Sequence, residues 1–310
     1  MESRARRWFE RAYERLLRRD IDGGPDHVAI IQDGNRRYAR ERGDDTADGH
    51  REGARTTEQV LRWCQDLGVE ELTLYAFSTE NFERPPHERE HLFDLIESKL
   101  REFADASQVH ENEVCIQALG DIDRLPARVR DAVDYAERRT ASYDRFRLNV
   151  AVAYGGRAEL LGAARDTLAA VADGRLDPED VDAAEIERRL YGRPVRDVDL
   201  IVRTGGDERT SNFLPWHANG NEAAVFFCAP YWPEFSKVDF LRAIRTYEAR
   251  EASWRHTRTE RSVALVRAVA GSSLVEARDV AGRLRSQLSR RGAEQLSAEL
   301  ELDRQDGTVE

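Results

Sequence analysis

The chain has 310 residues, 40% of them hydrophobic, and a formal net charge of −11, with Lys99 and Lys237 the only lysines among 48 basic residues. That length and apolar share support one large α/β domain with appendages or two small domains, and no apolar run approaches the roughly 18–20 residues of a membrane span. The acidity excludes broad nucleic-acid binding, which calls for a basic face.

Residues 1–19, "MESRARRWFERAYERLLRR", place Trp8, Phe9, Tyr13, Leu16 and Leu17 roughly on one helical face, with arginines elsewhere. Such a helix either packs on the main domain or touches anionic membrane as a basic amphipathic segment. The N-terminus has no apolar h-region of a signal peptide. Cys64, Cys115 and Cys228 are scattered thiols without a C-x-x-C pair, which argues against a disulfide framework or zinc site and for a reducing cytoplasm.

After "DGGP" the pattern becomes strand, loop, helix, repeated. The apolar runs are "HVAII" (27–31), "ELTLYAF" (71–77), "VCIQALGD" (114–121), "FRLNVAVAY" (146–154), "VDLIVRTGGD" (198–207) and "EAAVFF" (222–227), with helical patterns over 88–107 and 127–140 between them. Strands alternating with helices predict an α/β fold: a mostly parallel sheet flanked by helices. Expected around it are an amphipathic helix over 1–24, a catalytic domain over 25–250 and a charged helical extension over 251–310.

Open parallel sheets gather ligand sites in the loops at the carboxyl ends of their strands. Asp33-Gly34-Asn35-Arg36-Arg37, Ser78-Thr79-Glu80-Asn81 and Arg203-Thr204-Gly205-Gly206-Asp207 each directly follow a strand, so they should converge on one rim. Arg36, Arg37, Arg84, Arg203 and Arg209 fall in or near these loops. Any one of them could merely pair with a surface carboxylate. As a set they suit phosphate oxygens, which guanidinium forks bind in bidentate fashion. Asp33 among them would supply a hard oxygen ligand for Mg2+, which takes one or two carboxylates plus substrate phosphates.

Other assignments fail. There is no P-loop and no G-x-G-x-x-G after the first strand. A phosphatase with an aspartate nucleophile would want a second carboxylate two residues on, where Asn35 stands. His50, His87, His91 and His217 lack metal-ligand spacing. Asp44 to Asp48 spell D-D-x-x-D, a magnesium-diphosphate motif of helical proteins. Between Gly43 and Gly49, with no apolar periodicity and no second copy, these residues are expected to form a solvated acidic loop.

"HVAIIQDGNRRYA" (27–39), "GHREG" (49–53), "LTLYAFSTENFERP" (72–85), "LNVAVAYGGR" (148–157) and "IVRTGGDERTSNFLPW" (201–216) resemble, in order and spacing, the sequence blocks of cis-prenyltransferases, the family of undecaprenyl and dehydrodolichyl diphosphate synthases. The form D-G-N-R-R-Y looks archaeal or eukaryotic. The resemblance spans about residues 25–250. It implies a homodimeric, Mg2+-dependent transferase that condenses isopentenyl diphosphate repeatedly onto an allylic diphosphate primer, geranylgeranyl diphosphate being the primer expected of an archaeal source. The product would be a long polyprenyl diphosphate, precursor of a glycosyl carrier lipid, with peripheral membrane contact aiding its release.

By that resemblance Asp33 handles the magnesium-diphosphate and Glu222 is the second metal carboxylate. Gly34, Asn35, Arg36, Arg37 and Tyr38 line the primer's head. His50, Ser78 and Asn81 lie near the reacting carbons, Asn81 taking part in proton removal, with Thr79, Glu80, Phe82 and Arg84 completing that loop. Arg203, Arg209, Thr210 and Ser211 match the isopentenyl diphosphate site. Leu92, Phe93, Leu95, Ile96, Leu100 and Phe103 are offered as the wall of an apolar product tunnel, or as ordinary core. Three departures stand out. Thr46 falls where relatives place an arginine, Tyr38 and Phe82 occupy Trp positions, and "EAREASWRHTRTE" (248–260) lacks the glycine of an R-x-G segment. The last leaves room for a heteromeric partner, and the alternative assignment is a non-catalytic subunit of such a pair.

An acidic, lysine-poor surface is also what keeps a protein soluble in concentrated salt. The melting temperature should therefore rise between 0.1 M and 3 M KCl, as read by circular dichroism. A temperature indifferent to salt would refute a halophilic origin.

Overall fold

The apolar run His27–Ile31 forms the first strand and is buried at every position, as a parallel strand covered on both faces must be. The structure, a computed structural model, describes residues 4–19, 21, 23–191, 196–217 and 222–270. In chain order its elements are α1 (Arg4–Arg19), β1 (His27–Ile31), α2 (Asn35–Arg42), α3 (Thr46–Asp66), β2 (Glu71–Tyr75), α4 (Pro86–Asp105), α5 (Ser107–Glu111), β3 (Val114–Leu119), α6 (Ala127–Thr140), β4 (Phe146–Ala151), α7 (Gly156–Ala172), α8 (Ala183–Tyr191), β5 (Leu200–Arg203), β6 (Ala224–Phe227) and α9 (Lys237–Ala270). Short 3-10 turns lie between some of them. Residues up to Tyr247 form one compact unit that contains the sheet, and a second unit begins at Glu248. Of the expected C-terminal extension, residues from 271 on lie outside the described residues.

The sheet has the order β3-β4-β2-β1-β5-β6, and every pairing is parallel. Alternate side chains of β1 feed two cores. Val28 and Ile30 join Leu92 of α4, Val129 of α6 and Phe240 of α9, while Ala29 and Ile31 join Phe213 and Leu214 on the other face. The chain leaves β1 toward β2 on one side and later returns with β5 on the other. The order therefore reverses between β1 and β5, where such sheets open a crevice at their carboxyl ends.

Several strands are shorter than their apolar runs. "ELTLYAF" is strand only to Tyr75, and "FRLNVAVAY" only to Ala151. Beyond those points the two chains bond crosswise, Phe77 N donating to Ala151 O and Tyr154 N to Phe77 O, so the segments stay buried without extending the ladder.

The acidic stretch differs from expectation. α3 begins at Thr46, with Asp45 at its N-cap position and Asp48 in its first turn. Carboxylates there complement the positive end of the helix dipole, and Asp48 pairs with Arg51. The loop is thus a helix start, and among the described residues no group of three or more His, Cys, Asp or Glu could hold a metal ion.

The apolar face expected of the N-terminal helix is split. Leu17 is fully buried, whereas Tyr13 and Leu16 are exposed. Glu14 pairs with Lys237 at 3.4 Å, and Arg18 Nη2 donates to Asp66 O at 3.3 Å. These contacts dock the second half of α1 on the sheet domain; the side chains of Trp8 and Phe9 lie outside the described ones. Among the described residues no helix is long and apolar enough to cross a membrane.

Two glycines bring α2 and α3 together. A Cβ at Gly49 would sit 2.2 Å from Asn35 O, and one at Gly53 would sit 2.3 Å from Asn35 Oδ1 and 2.8 Å from Trp232. Only bare backbone admits the start of α2 there. The crossing sets Asn35 and His50 on the same wall.

Candidate active site

Arg203 is the last residue of β5 and pairs in register with Ile31, the last of β1. Asp33 follows two residues later, so a carboxylate and a guanidinium leave neighbouring parallel strands in the same direction. They meet. Arg203 Nη2 donates to Asp33 Oδ2 at 2.7 Å and to Asp207 Oδ2 at 3.1 Å. Arg203 Nη1 donates to Arg209 O at 2.6 Å and to Ser211 Oγ. Arg37 reaches Asp33 at 3.1 Å and Asp207 at 4.0 Å, and Arg209 reaches Asp207 at 3.1 Å. Two carboxylates thus share three arginines.

The backbone beneath is held as firmly. Thr204 Oγ1 donates to Asp33 O at 2.7 Å and accepts from Asp33 N at 3.0 Å, and Trp232 N also donates to Asp33 O, at 3.0 Å. Gly34 follows at φ 102°, and a Cβ there would strike the Tyr231 ring at 2.6 Å. Across the network Ser211 and Asn212 take left-handed φ values of 48° and 59°. That conformation is costly for a non-glycine residue, and here it accompanies the turn that brings Ser211 Oγ onto Arg203.

Electrostatics follow from this packing. Burial alone would raise the Asp33 carboxyl; the hydrogen bond and charge of Arg203, then Arg37, outweigh it and hold the pKa below the ordinary aspartate value. Burial, then the neighbouring Arg84, His91 and Arg36, push His50 down to about 3, so its imidazole is neutral at pH 7. Burial and then Arg36 lower Arg84, against the opposing pull of Glu88 and Asp33.

These groups open on a cavity of about 370 Å³. It is lined by the polar residues Asp33, Asn35, His50, Ser78, Glu80, Asn81, Arg84, Arg203, Arg209 and Ser211, and by the apolar residues Leu74, Leu92, Leu95, Ile96, Leu100 and Phe103, with Lys99 among the latter on α4. Asn35 Oδ1, His50 Nε2, Arg84 Nη1 and Arg203 Nε are buried polar atoms without a hydrogen-bond partner. Four such atoms around one cavity mark a place for a polar ligand.

Ten of the residues expected from the sequence therefore line one cavity. The others stand around it in different ways. Arg37 contacts Asp33 from the side, and Arg36 Nε lies 3.6 Å from Glu88. Tyr38 lies under the Arg42 guanidinium, 4.3 Å from its ring centroid. Thr79 is fixed by its N–H to Tyr154 O, Phe82 packs on Phe77 and Phe93, and Thr210 O accepts from Phe213 N. Asn81 Oδ1 accepts from Ser78 N at 3.0 Å as half of a capping box, so its carboxamide oxygen is committed to holding the turn. Of the expected tunnel wall, Phe93 alone does not line the cavity and packs into the core.

Glu222 is placed apart. It precedes β6, whose Ala224 pairs with Leu200 at the start of β5, whereas Asp33 follows the end of β1. In a parallel sheet these are opposite ends: the register sets Glu222 level with residue 26, seven residues from Asp33, about 23 Å at ~3.3 Å per residue. Glu222 there helps to raise the Asp197 carboxyl, after burial, Glu187 and Asp199. Within one chain it does not join the Asp33 site. Sequence reasoning missed Asp207 as a site residue, although it stands in the same post-strand loop, and Trp232, which no pattern marked.

The undecaprenyl diphosphate synthase family model matches residues 31–255. The chain belongs to the cis-prenyltransferases. It is 72% identical over 276 residues, 89% of its length and 91% of the relative's, to a tritrans,polycis-undecaprenyl-diphosphate synthase (geranylgeranyl-diphosphate specific) of Halobacterium salinarum. It is 65% identical over 302 residues, 97% and 99% of the two lengths, to the synthase of that description from Haloarcula marismortui. Among solved structures, lavandulyl diphosphate synthase of Lavandula x intermedia, in complex with dimethylallyl diphosphate, is similar at a TM-score of 0.66 and 33% identity, covering 72% of this chain and 95% of that one.

Removing Arg203 leaves Asp33 and Asp207, each about a third exposed, still beside Arg37 and Arg209, and costs about 1–3 kcal/mol for the hydrogen bonds lost. Arg203→Leu in this cis-prenyltransferase should lose stability on that scale in urea unfolding at pH 8. The depressed Asp33 pKa contributes stability that is full above the unfolded aspartate pKa and is lost as pH falls through the folded value. In Arg203→Leu the folded Asp33 pKa moves up toward the unfolded value, so that acid-side loss should be smaller than in the wild type.

Proposed function

We propose that this transferase extends an allylic diphosphate, geranylgeranyl diphosphate as in the names of its archaeal relatives, by repeated addition of isopentenyl diphosphate to give a long cis-polyprenyl diphosphate. The observation that carries this reading is the union of two opposite environments in one cavity. Arginines, carboxylates and unpartnered polar atoms line it together with leucine, isoleucine and phenylalanine side chains of α4. An amphiphile with a doubly charged head and a hydrocarbon tail fits both at once.

The head supports the chemistry. Breaking the allylic C–O bond develops negative charge on the leaving diphosphate, which preorganised donors stabilise best. Arg203 and Arg209 line the cavity there, held by Asp33 and Asp207, with Arg37 beside Asp33. The isopentenyl double bond then attacks the allylic carbon, a C–C bond forms, and a proton leaves the adjacent carbon. Asn81, with its oxygen tied to Ser78 N, positions its NH2 at the cavity; an amide is too weak a base to take that proton, and the released diphosphate is the stronger acceptor nearby.

The carboxylates of Asp33, which lines the cavity, and Asp207, which shares its arginines, fit the one or two that Mg2+ takes alongside phosphate oxygens. Lewis-acid neutralisation of the leaving diphosphate is what a bound magnesium would add. Asp33 is the carboxylate that would hold it from within the chain. Glu222 could join only from a second copy. A homodimer agrees with exposed apolar residues: Leu161 and Leu168 lie two turns apart on α7, and Val225 sits on edge strand β6. At about 0.8 kcal/mol per methylene, each five-carbon unit buried stabilises the bound product by ~4 kcal/mol, so release would be slow. A cytoplasmic enzyme that meets the membrane surface when it releases product accords with this.

Purified protein given magnesium, labelled isopentenyl diphosphate and geranylgeranyl diphosphate should yield extended lipids on chromatography. No extension from geranyl, farnesyl or geranylgeranyl primers would refute the reading. Asp33→Ala should lower the rate by about 10²–10³-fold, the scale of losing one charge-organising group. Light scattering should give twice the chain mass, and a monomer mass would reject the homodimer.

A further inference from the structure

The segment that follows β6 is bonded to both loops of the site. Cys228 N donates to Arg203 O at 3.0 Å, and Cys228 O accepts from Gly206 N at 3.0 Å. Pro230 O accepts from Gly205 N at 2.7 Å, and Trp232 N then donates to Asp33 O at 3.0 Å. Residues 228–232 thus fasten the backbone of both partners in the Asp33–Arg203 pair.

Trp232 does more than end this strap. Its side chain is 1% exposed, stacks on Phe235 with ring centroids 5.5 Å apart, and borders the cavity. A buried indole N–H needs an acceptor. Nε1 finds one in Gly53 O at 2.7 Å, one turn of α3 beyond His50. Gly53 O also accepts from Thr57 Oγ1 at 3.1 Å, and Thr57 Oγ1 accepts from Gln32 Nε2 at 2.7 Å. Gln32 is the residue before Asp33. The bonds therefore close a ring, from the Asp33 backbone through Trp232 to α3 and back through Thr57 to Gln32.

We infer that Trp232 is a positioning residue for the prenyl transfer, its main-chain and indole donors fixing Asp33 against the helix that carries His50. The inference rests on the reading of this cavity as the site of that transfer. Neither donor touches the Asp33 carboxylate or the His50 imidazole. They hold the two backbones from which those groups project, so β1 and α3 keep their spacing while the allylic bond breaks. Members of such a network support one another, and opening the ring at the indole loosens Asp33 and α3 together. Reactions are sensitive to displacements on the scale of 1 Å, so the loss should appear in the chemical step.

The test is steady-state extension of geranylgeranyl diphosphate by labelled isopentenyl diphosphate with magnesium, run on full-length variants beside urea unfolding. Trp232→Phe keeps an aromatic ring and removes the indole donor. Its kcat should fall by about 10–100-fold, the scale on which small misplacements act. KM for isopentenyl diphosphate should stay within about twofold, because Arg203, Arg209 and Ser211 keep their own contacts. Trp232→His should recover most of the kcat, since imidazole Nε2 sits at the ring position that indole gives to Nε1. Phe235→Leu removes the stacked ring and none of these hydrogen bonds. It should lower the urea midpoint as Trp232→Phe does and keep the wild-type kcat.

A wild-type kcat in Trp232→Phe would overturn the inference. So would a Phe235→Leu chain that loses kcat in step with its stability, the result of a purely structural role. A Trp232→His chain no faster than Trp232→Phe would overturn the part given to the indole donor. If Trp232→Phe does not fold, Thr57→Val, which opens the ring from its other side, decides by the same fall in kcat. Absence of any extended lipid from the wild-type chain would instead reject the functional reading beneath the inference.

Discussion

The contact between Asp33 and Arg203 holds the working end of this protein together. The two residues emerge from β1 and β5, the neighbouring strands between which the sheet order reverses, and their 2.7 Å pair closes the gap that the reversal leaves. Arg203 is almost wholly buried at 3% exposure. A guanidinium so placed is tolerable only because Asp33, Asp207, Arg209 O and Ser211 share its donors. Yet the network keeps a cationic excess, since Arg37, Arg203 and Arg209 face two carboxylates. An anionic head group completes it, and the ion pairs hold the arginines in place until one arrives.

The same economy shapes the apolar lining. Leu92, Ile96 and Leu100 belong to the main core and are under 9% exposed, yet they also line the cavity. The choice between tunnel wall and ordinary core therefore has no single answer for these residues. A helix can serve both when one edge of its apolar stripe packs on the sheet and the other borders a space. Phe93, one position from Leu92, falls on the packed edge against Phe77 and Phe82. Interiors are close-packed, so a cavity of this size persists only where rigid helices span it. α3 and α4 do so, tied by Lys99 to Glu58.

Much of the site was legible from one rule, that polar residues following parallel strands share a rim. Asp33, Ser78, Asn81 and Arg203 obey it because strand direction alone fixes which end of the sheet a residue reaches. Glu222 shows the rule in reverse. It precedes its strand, so the polarity that unites the others sends it to the far end, and only the family resemblance had suggested otherwise. His50 and Trp232 were beyond the rule, because their arrival depends on two glycines letting α3 lie against Asn35. The acidic run at Asp44–Asp48 was misread for a related reason. Its helix is begun by capping and dipole effects at Thr46, which hydrophobic periodicity does not register.

What the polar lining lacks is as informative as what it holds. An allylic cation is destroyed by any strong nucleophile or base within reach, so a site that makes one should offer donors and fixed charge. His50 is neutral, held there by burial and by the arginines around it, and Asn81 has its oxygen bound to Ser78 N. Asp33 is ionised but engaged by two guanidiniums, which blunts it as a base and keeps it available as a hard ligand. Glu80 stands exposed at the rim. On the proposed reading the departing diphosphate is then the most basic group beside the reacting carbons, and the arginines that would stabilise its departure would also hold it where the proton must go.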